Sequence, residues 1–160
     1  MRERAFAVLG GRVDGARLLD LYAGTGAVGL EALSRGARAV VFVERHRAAA
    51  DLIEKNLAAF ALTSERAELL VRPVSAAVDH LARRRDHFDI AWADPPFEGW
   101  REGLEVVVKL FDIDLLRDAA TACLECPEKA DVVGRLPADL EITRDLVGGA
   151  SRVVMITRRP

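Results

Sequence analysis

The feature that most constrains this chain is a glycine turn, Asp20-Leu21-Tyr22-Ala23-Gly24-Thr25-Gly26, closing an apolar run that starts at Arg17. A buried strand that ends in glycines and leads into helix is the opening of a βαβ unit. The following segment, Ala27 to Arg35, reads as that helix, with Gly36 as its C-terminal cap. Ala-Val-Val-Phe-Val within Arg38–Glu44 is a second buried strand. His46–Phe60 carries Ala49, Leu52, Ile53 and Leu57 at helical spacing.

The alternation continues. Ala67–Arg72 is a strand stopped by Pro73, and Val74–Arg84 is a helix. His87–Ala93 is a strand that runs into Asp94-Pro95-Pro96-Phe97. Two successive prolines forbid further strand pairing and further helix, so this segment is a stiff loop. Arg101–Leu110 is a helix and Ala119–Glu125 a strand. Asp139–Val147 and Arg152–Arg158 form a closing hairpin through Gly148-Gly149. Arg2–Leu9 is a short leading helix, ended by Gly10-Gly11.

Strands alternating with helices predict an α/β fold. We expect a Rossmann-like, mostly parallel seven-stranded sheet with an antiparallel C-terminal hairpin strand and helices on both faces. No repeat, low-complexity stretch or linker interrupts residues 1–160, so one domain is expected, large enough to bury a core.

Composition narrows the class. Hydrophobic residues make up 51% and charged residues 30%, ordinary for a globular chain. No run is apolar enough for a membrane span or a signal peptide, so the expectation is a cytoplasmic protein without a membrane partner. Net charge is −2, which excludes a uniformly basic nucleic-acid binder. The cations are 20 arginines against 3 lysines, a balance that reads first as genome bias and only second as phosphate chemistry. The triplet Arg83-Arg84-Arg85 reads in the same order, as a solvated face before a phosphate contact.

Cys123 and Cys126 have half the spacing of a zinc site, but no second pair and no placed histidine completes it. Strand alternation puts them on opposite faces, so they read as structural cysteines. His46, His80 and His87 show no metal spacing either, and no metal site is expected.

The chemistry sits at the two loops. Ligands of open α/β sheets bind beyond the carboxyl ends of the strands. Gly24-Thr25-Gly26-Ala27-Val28-Gly29 matches the dinucleotide pattern, and Glu44 lies at the end of the next strand, where a carboxylate takes ribose hydroxyls. By itself this fits NAD as well as S-adenosylmethionine. Two details separate them. Asp20 is unwelcome beside a pyrophosphate but favourable beside an ammonium and a sulfonium. Asp94-Pro95-Pro96-Phe97 has no use in a dehydrogenase, and Tyr22 is the chain's one tyrosine.

The stretch Leu18 to Ala37, the strand Val41-Phe42-Val43-Glu44, the next helix to Asn56 and Asp94-Pro95-Pro96-Phe97 together resemble the bacterial 16S ribosomal RNA guanine-N2 methyltransferase family. The resemblance covers nearly the whole chain. It implies a class I methyltransferase that moves a methyl group from S-adenosylmethionine to the N2 amine of a guanine in small-subunit rRNA, leaving S-adenosylhomocysteine. Asp20, Tyr22, Gly24, Thr25 and Gly26 would line the methionine part of the cofactor. Glu44 would hold the ribose, Arg45 and His46 would flank the adenine, and Ser75 and Ala76 would sit at its edge. Members commonly have an acid near that edge, whereas this chain reads Val74-Ser75-Ala76-Ala77.

The resemblance also implies an amine site. Asp94 and the Pro95 carbonyl would accept both N–H bonds of the amine, and Phe97 would stack on the base. Trp92 reads as core, while Trp100 is split between packing on the substrate and covering the site. Ribosomal RNA or the small subunit is the implied partner, and a monomer the implied state. Family members usually begin earlier, with a basic extension, so Met1-Arg2-Glu3-Arg4 is expected to be the end of that region. The rival with the same chemistry is a DNA methyltransferase acting on adenine or cytosine. A protein-glutamine methyltransferase, an NAD-dependent oxidoreductase and a catalytically idle binding module are the further alternatives.

Overall fold

The computed structural model describes residues 1–160. Its strands are β1 (Arg17–Leu21), β2 (Ala39–Val43), β3 (Ala67–Leu70), β4 (Phe88–Ala93), β5 (Leu116–Pro127), β6 (Leu140–Gly148) and β7 (Ser151–Arg158). They form one sheet in the order β3-β2-β1-β4-β5-β7-β6. The pairs β1–β2, β1–β4, β2–β3 and β4–β5 are parallel, and β7 is antiparallel to both β5 and β6. The order reverses between β1 and β4, so the glycine turn after β1 and the proline loop after β4 emerge side by side.

Five helices complete the chain: α1 (Arg2–Leu9), α2 (Ala27–Ser34), α3 (Arg47–Ala59), α4 (Val74–Arg83) and α5 (Trp100–Asp112). Strand alternation divides the core between the two sheet faces. Leu19, Leu21, Val41, Val43, Ala91 and Ala93 meet α4 and α5 through Val78, Leu81, Leu104, Val107 and Phe111. Leu18, Val40, Phe42, Ile90 and Trp92 meet α1, α2 and α3 through Phe6, Leu9, Ala32 and Ile53. Phe6 stacks on Trp92 with ring centroids 5.6 Å apart, an arrangement worth about 0.5–1.5 kcal/mol beyond its buried area.

The cysteines behave as expected. Cys123 packs on the α1–α3 face and Cys126 on the opposite face; both are buried and free. No cluster of metal-ligating side chains is present, and no helix is long and apolar enough to cross a membrane.

Most elements shift from the expected bounds by one or two residues at an end, and β5 shifts most. Strand β5 begins at Leu116, not Ala119, because Leu116 pairs with Phe88 before the register shifts and Thr121 pairs with Ile90. The exposed Arg117–Ala119 stretch within the shift hides the earlier start from a periodicity argument. Helix α5 begins at Trp100, one residue earlier than expected, with Gly99 as its cap.

Candidate active site

At the carboxyl ends of β1, β2 and β4 lies a cavity of about 840 Å³, within the range of small-molecule sites. Three loops and two helix faces build it. The β1 end contributes Tyr22. The β2 end contributes Glu44, Arg45 and His46. The start of α4 contributes Pro73, Val74 and Ser75. The loop after β4 contributes Asp94, Pro95 and Pro96.

Glu44 is the best-anchored group of the site. It is 7% exposed. Its Oε2 accepts from the Gly24 amide at 2.7 Å, and its Oε1 accepts from the His46 amide at 2.8 Å. Each oxygen keeps a lone pair for a ligand hydroxyl. The two amides therefore fix the carboxylate at the cavity edge and tie the β1 and β2 loops together.

The glycine turn needs its glycines. Gly24 and Gly26 have φ of 58° and 82°, the left-handed region that disfavours a Cβ. Gly29 is small for another reason. A Cβ there would lie 2.2 Å from the Phe42 ring, so α2 seats directly on β2. Tyr22 adopts φ of 57° without being glycine, the kind of backbone strain that collects at ligand sites. Burial, and then the nearby Glu102 carboxylate, raise its phenol above the usual range.

Asp20 takes a different place from the expected one. It is 2% exposed, and its Oδ2 accepts from the Gly29 amide at 3.0 Å, inside the first turn of α2. Its neighbours Leu19 and Leu21 face α4 and α5, so alternation turns Asp20 to the other side of the sheet. The carboxylate supports the turn from beneath and does not line the cavity. Burial first, and the carboxylates of Asp94 and Glu44 next, push it up to about 7 against the pull of the Gly29 amide.

Asp94 stands at the mouth. Partial desolvation, and then Glu125 on the neighbouring strand, push its carboxyl up to about 6, although the residue is exposed to solvent. Glu125 is held by Ser151, whose hydroxyl donates to it at 3.1 Å. Pro95 is buried and packs against Gly103 of α5, where a Cβ would come within 2.6 Å of its ring. That contact sets the height of the loop over the cavity. Phe97, 57% exposed, lies beyond the cavity rim.

The structure thus brings Tyr22, Glu44, Arg45, Ser75, Asp94 and Pro95 around one space. Gly24, Thr25, Gly26, Ala76 and Phe97 do not line it directly. Trp100 neither packs over the cavity nor covers it; it is 8% exposed and joins Leu104 in the core, because the first turn of α5 aims it at the sheet. The α5 wall was not expected from the sequence: Glu102, Glu105, Val106 and Lys109 line the far side. Their spacing marks one helix stripe, but nothing local says that the stripe faces a cavity. Lys109 reaches across to Asp79 of α4 at 2.9 Å.

A sheet of this order with an antiparallel seventh strand, a glycine turn after β1, an acid after β2 and Asp-Pro-Pro-Phe after β4 defines the class I methyltransferase fold. Known proteins agree. The model of the family described as Conserved hypothetical protein 95 matches residues 1–157. Ribosomal RNA small subunit methyltransferase D of Escherichia coli is 35% identical over 151 residues, covering 93% of this chain and 72% of that protein. YlbH of Bacillus subtilis, a candidate rRNA methyltransferase, is 29% identical over 160 residues, covering 99% and 85%. The solved structure of yhhF from Escherichia coli, a candidate methyltransferase, superposes with a TM-score of 0.82 at 31% identity, covering 99% and 84%. The chain belongs to the Conserved hypothetical protein 95 family, alongside the small-subunit rRNA methyltransferases to which its motifs point.

Proposed function

We propose that this protein transfers a methyl group from S-adenosylmethionine to the exocyclic N2 amine of a guanine in small-subunit ribosomal RNA. The observation that carries the reading is the placement of Asp94-Pro95 on the same cavity as the amide-anchored Glu44. The 35% identity to a small-subunit rRNA methyltransferase supports the substrate class.

The residues fit the cofactor. Glu44 retains lone pairs for two ribose hydroxyls. Glu44 and Asp94 place two carboxylates on the cavity at the strand ends, and this favours a ligand carrying an ammonium and a sulfonium. The cofactor supplies an already activated methyl, so the protein's part is mainly positioning.

The amine needs more help. The N2 lone pair of guanine is delocalised into the ring. Asp94 and the Pro95 carbonyl accept its two N–H bonds, which orients the nitrogen and favours pyramidalisation. As the N–C bond forms, positive charge grows on nitrogen, and the Asp94 carboxylate stabilises it. The amine then loses a proton, and a carboxylate near pH 6 is suited to take it before passing it to water. Exposed Phe97 offers a stacking face worth ~1–3 kcal/mol to a base that has left its helix.

The test is tritiated methyl transfer from S-adenosylmethionine to small subunits lacking the modification, with naked rRNA and duplex DNA in parallel and Asp94→Ala beside the unaltered protein. Label recovered as N2-methylguanine in rRNA, and lost in the variant, supports the reading. Label in DNA replaces it with the DNA enzyme. Cofactor binding without label anywhere leaves a binding module.

A further inference from the structure

The arginine triplet lies far from the cavity. Arg84 caps the end of α4, whose first residues line the cavity, and a ten-residue helix spans about 15 Å. Arg84 is also spent on other groups. It forks onto Glu68 at 2.6 and 2.9 Å and reaches Asp86 at 2.8 Å.

Two other arginines behave differently. The guanidinium carbon of Arg101 lies 5.2 Å from the centroid of the Trp100 indole, and that of Arg135 lies 5.8 Å from the same ring. Residues 34 apart in sequence thus bring two cations together on one aromatic ring. Both arginines are exposed. Neither enters an ion pair with any carboxylate of the chain. Neither guanidinium donates a hydrogen bond to another residue, unlike those of Arg12, Arg17, Arg152 or Arg158.

Like charges held close without a counter-ion are unfavourable in isolation. The indole face offsets part of that and restrains both planar groups. Their position is specific. Trp100 and Arg101 sit between Gly99 and Glu102, both on the cavity wall, and exposed Phe97 precedes them by one turn. Arg135 comes from the short 3-10 turn Val133–Arg135, where Val133 is also exposed.

The geometry points to Arg101 and Arg135 as a phosphate clamp for the RNA strand that flanks the target nucleotide. A base extruded toward Asp94 leaves its own backbone at the cavity mouth, and two unpaired guanidinium forks match phosphate oxygens there. The clamp gives a chain of net charge −2 a local cationic contact at the place where the base enters. It rests on the rRNA reading above and adds the residues that grip the strand.

The test compares Arg101→Gln/Arg135→Gln with Arg83→Gln/Arg85→Gln, which removes the same charge at the far edge. Binding of unmodified 16S rRNA is measured from 50 to 300 mM salt, beside steady-state methyl transfer and S-adenosylhomocysteine affinity. The Arg101/Arg135 variant is expected to raise KM for rRNA roughly tenfold and to flatten the salt slope by about 1.4, the value for two contacts to a single strand. Its kcat and S-adenosylhomocysteine affinity stay unchanged, lysines at the two positions restore part of the affinity, and the far-edge variant matches the unaltered protein. Equal loss in both double variants, or none in either, overturns the clamp while leaving the rRNA reading intact. Absence of methyl transfer to any RNA by the unaltered protein removes the rRNA reading first, and the clamp with it.

Discussion

The Gly24 amide donates to Oε2 of Glu44 across 2.7 Å, so the acid that would hold the ribose also holds the glycine turn. The same carboxylate receives the His46 amide at 2.8 Å. A glutamine in its place turns an NH2 toward one of two N–H donors. Glu44→Gln is therefore expected to weaken S-adenosylhomocysteine binding by about 1.5–3 kcal/mol, the worth of a hydrogen bond to a charged group. Titration calorimetry reads this directly. An affinity within twofold of the unaltered protein would show that Glu44 serves the turn alone.

Asp94 must be ionised to accept N–H bonds and to face a developing cation. Its carboxyl is pushed up to about 6 by partial desolvation and by Glu125. We expect kcat/KM to fall about tenfold per pH unit below that value and to level off above it. Asp94→Ala should lose about 10²–10³ in kcat, as when one oriented electrostatic group is removed. A pH profile flat from 5 to 8, measured with saturating cofactor, would contradict the role.

Asp20 gives a stability signature of the opposite kind. Its carboxyl is at about 7 in the folded protein against an ordinary 3.8, because burial penalises the charge. The folded state then holds the proton more tightly than the unfolded state. Stability falls as pH rises from about 4 to about 7, and is lowest above 7 where the buried group is charged. Asp20→Asn is expected to abolish this slope. At pH 8 its denaturation midpoint should equal or exceed that of the unaltered protein. Denaturant titrations of the two proteins at pH 5 and pH 8 check this; parallel pH dependence in both would disprove the assignment.

Gly29 and Gly103 separate fold from loop position. A Cβ at Gly29 would meet the Phe42 ring at 2.2 Å, within the seat of α2 on β2. Gly29→Ala should cost about 1–3 kcal/mol of stability, seen in a denaturation midpoint. A Cβ at Gly103 would press on Pro95 at 2.6 Å. Gly103→Ala should shift the Asp94-Pro95 loop, lowering kcat more than S-adenosylhomocysteine affinity. Equal loss of both would mean a general disturbance instead.

Much of the fold was legible because its signals are local. Buried strands read as apolar runs, helices as 3.6-residue stripes, and glycine and proline pairs as breaks. Those signals placed the seven strands and five helices, with errors confined to edges such as the start of β5, where a register shift with Phe88 and Ile90 left no periodic trace. The placement of Glu44 one strand beyond the glycine turn was equally local, since the distance between them is one βαβ unit.

The sequence by itself determined the class of fold, the two loops that carry chemistry and the residue types in them. Only the tertiary structure decided which side chains share a space. It turned Asp20 beneath the helix, brought Glu102, Glu105 and Lys109 to the cavity wall, sent Trp100 into the core and set Arg101 and Arg135 on one indole. The physical reason is that a strand or helix specifies its own two faces locally. What each face meets depends on packing among segments far apart in the chain.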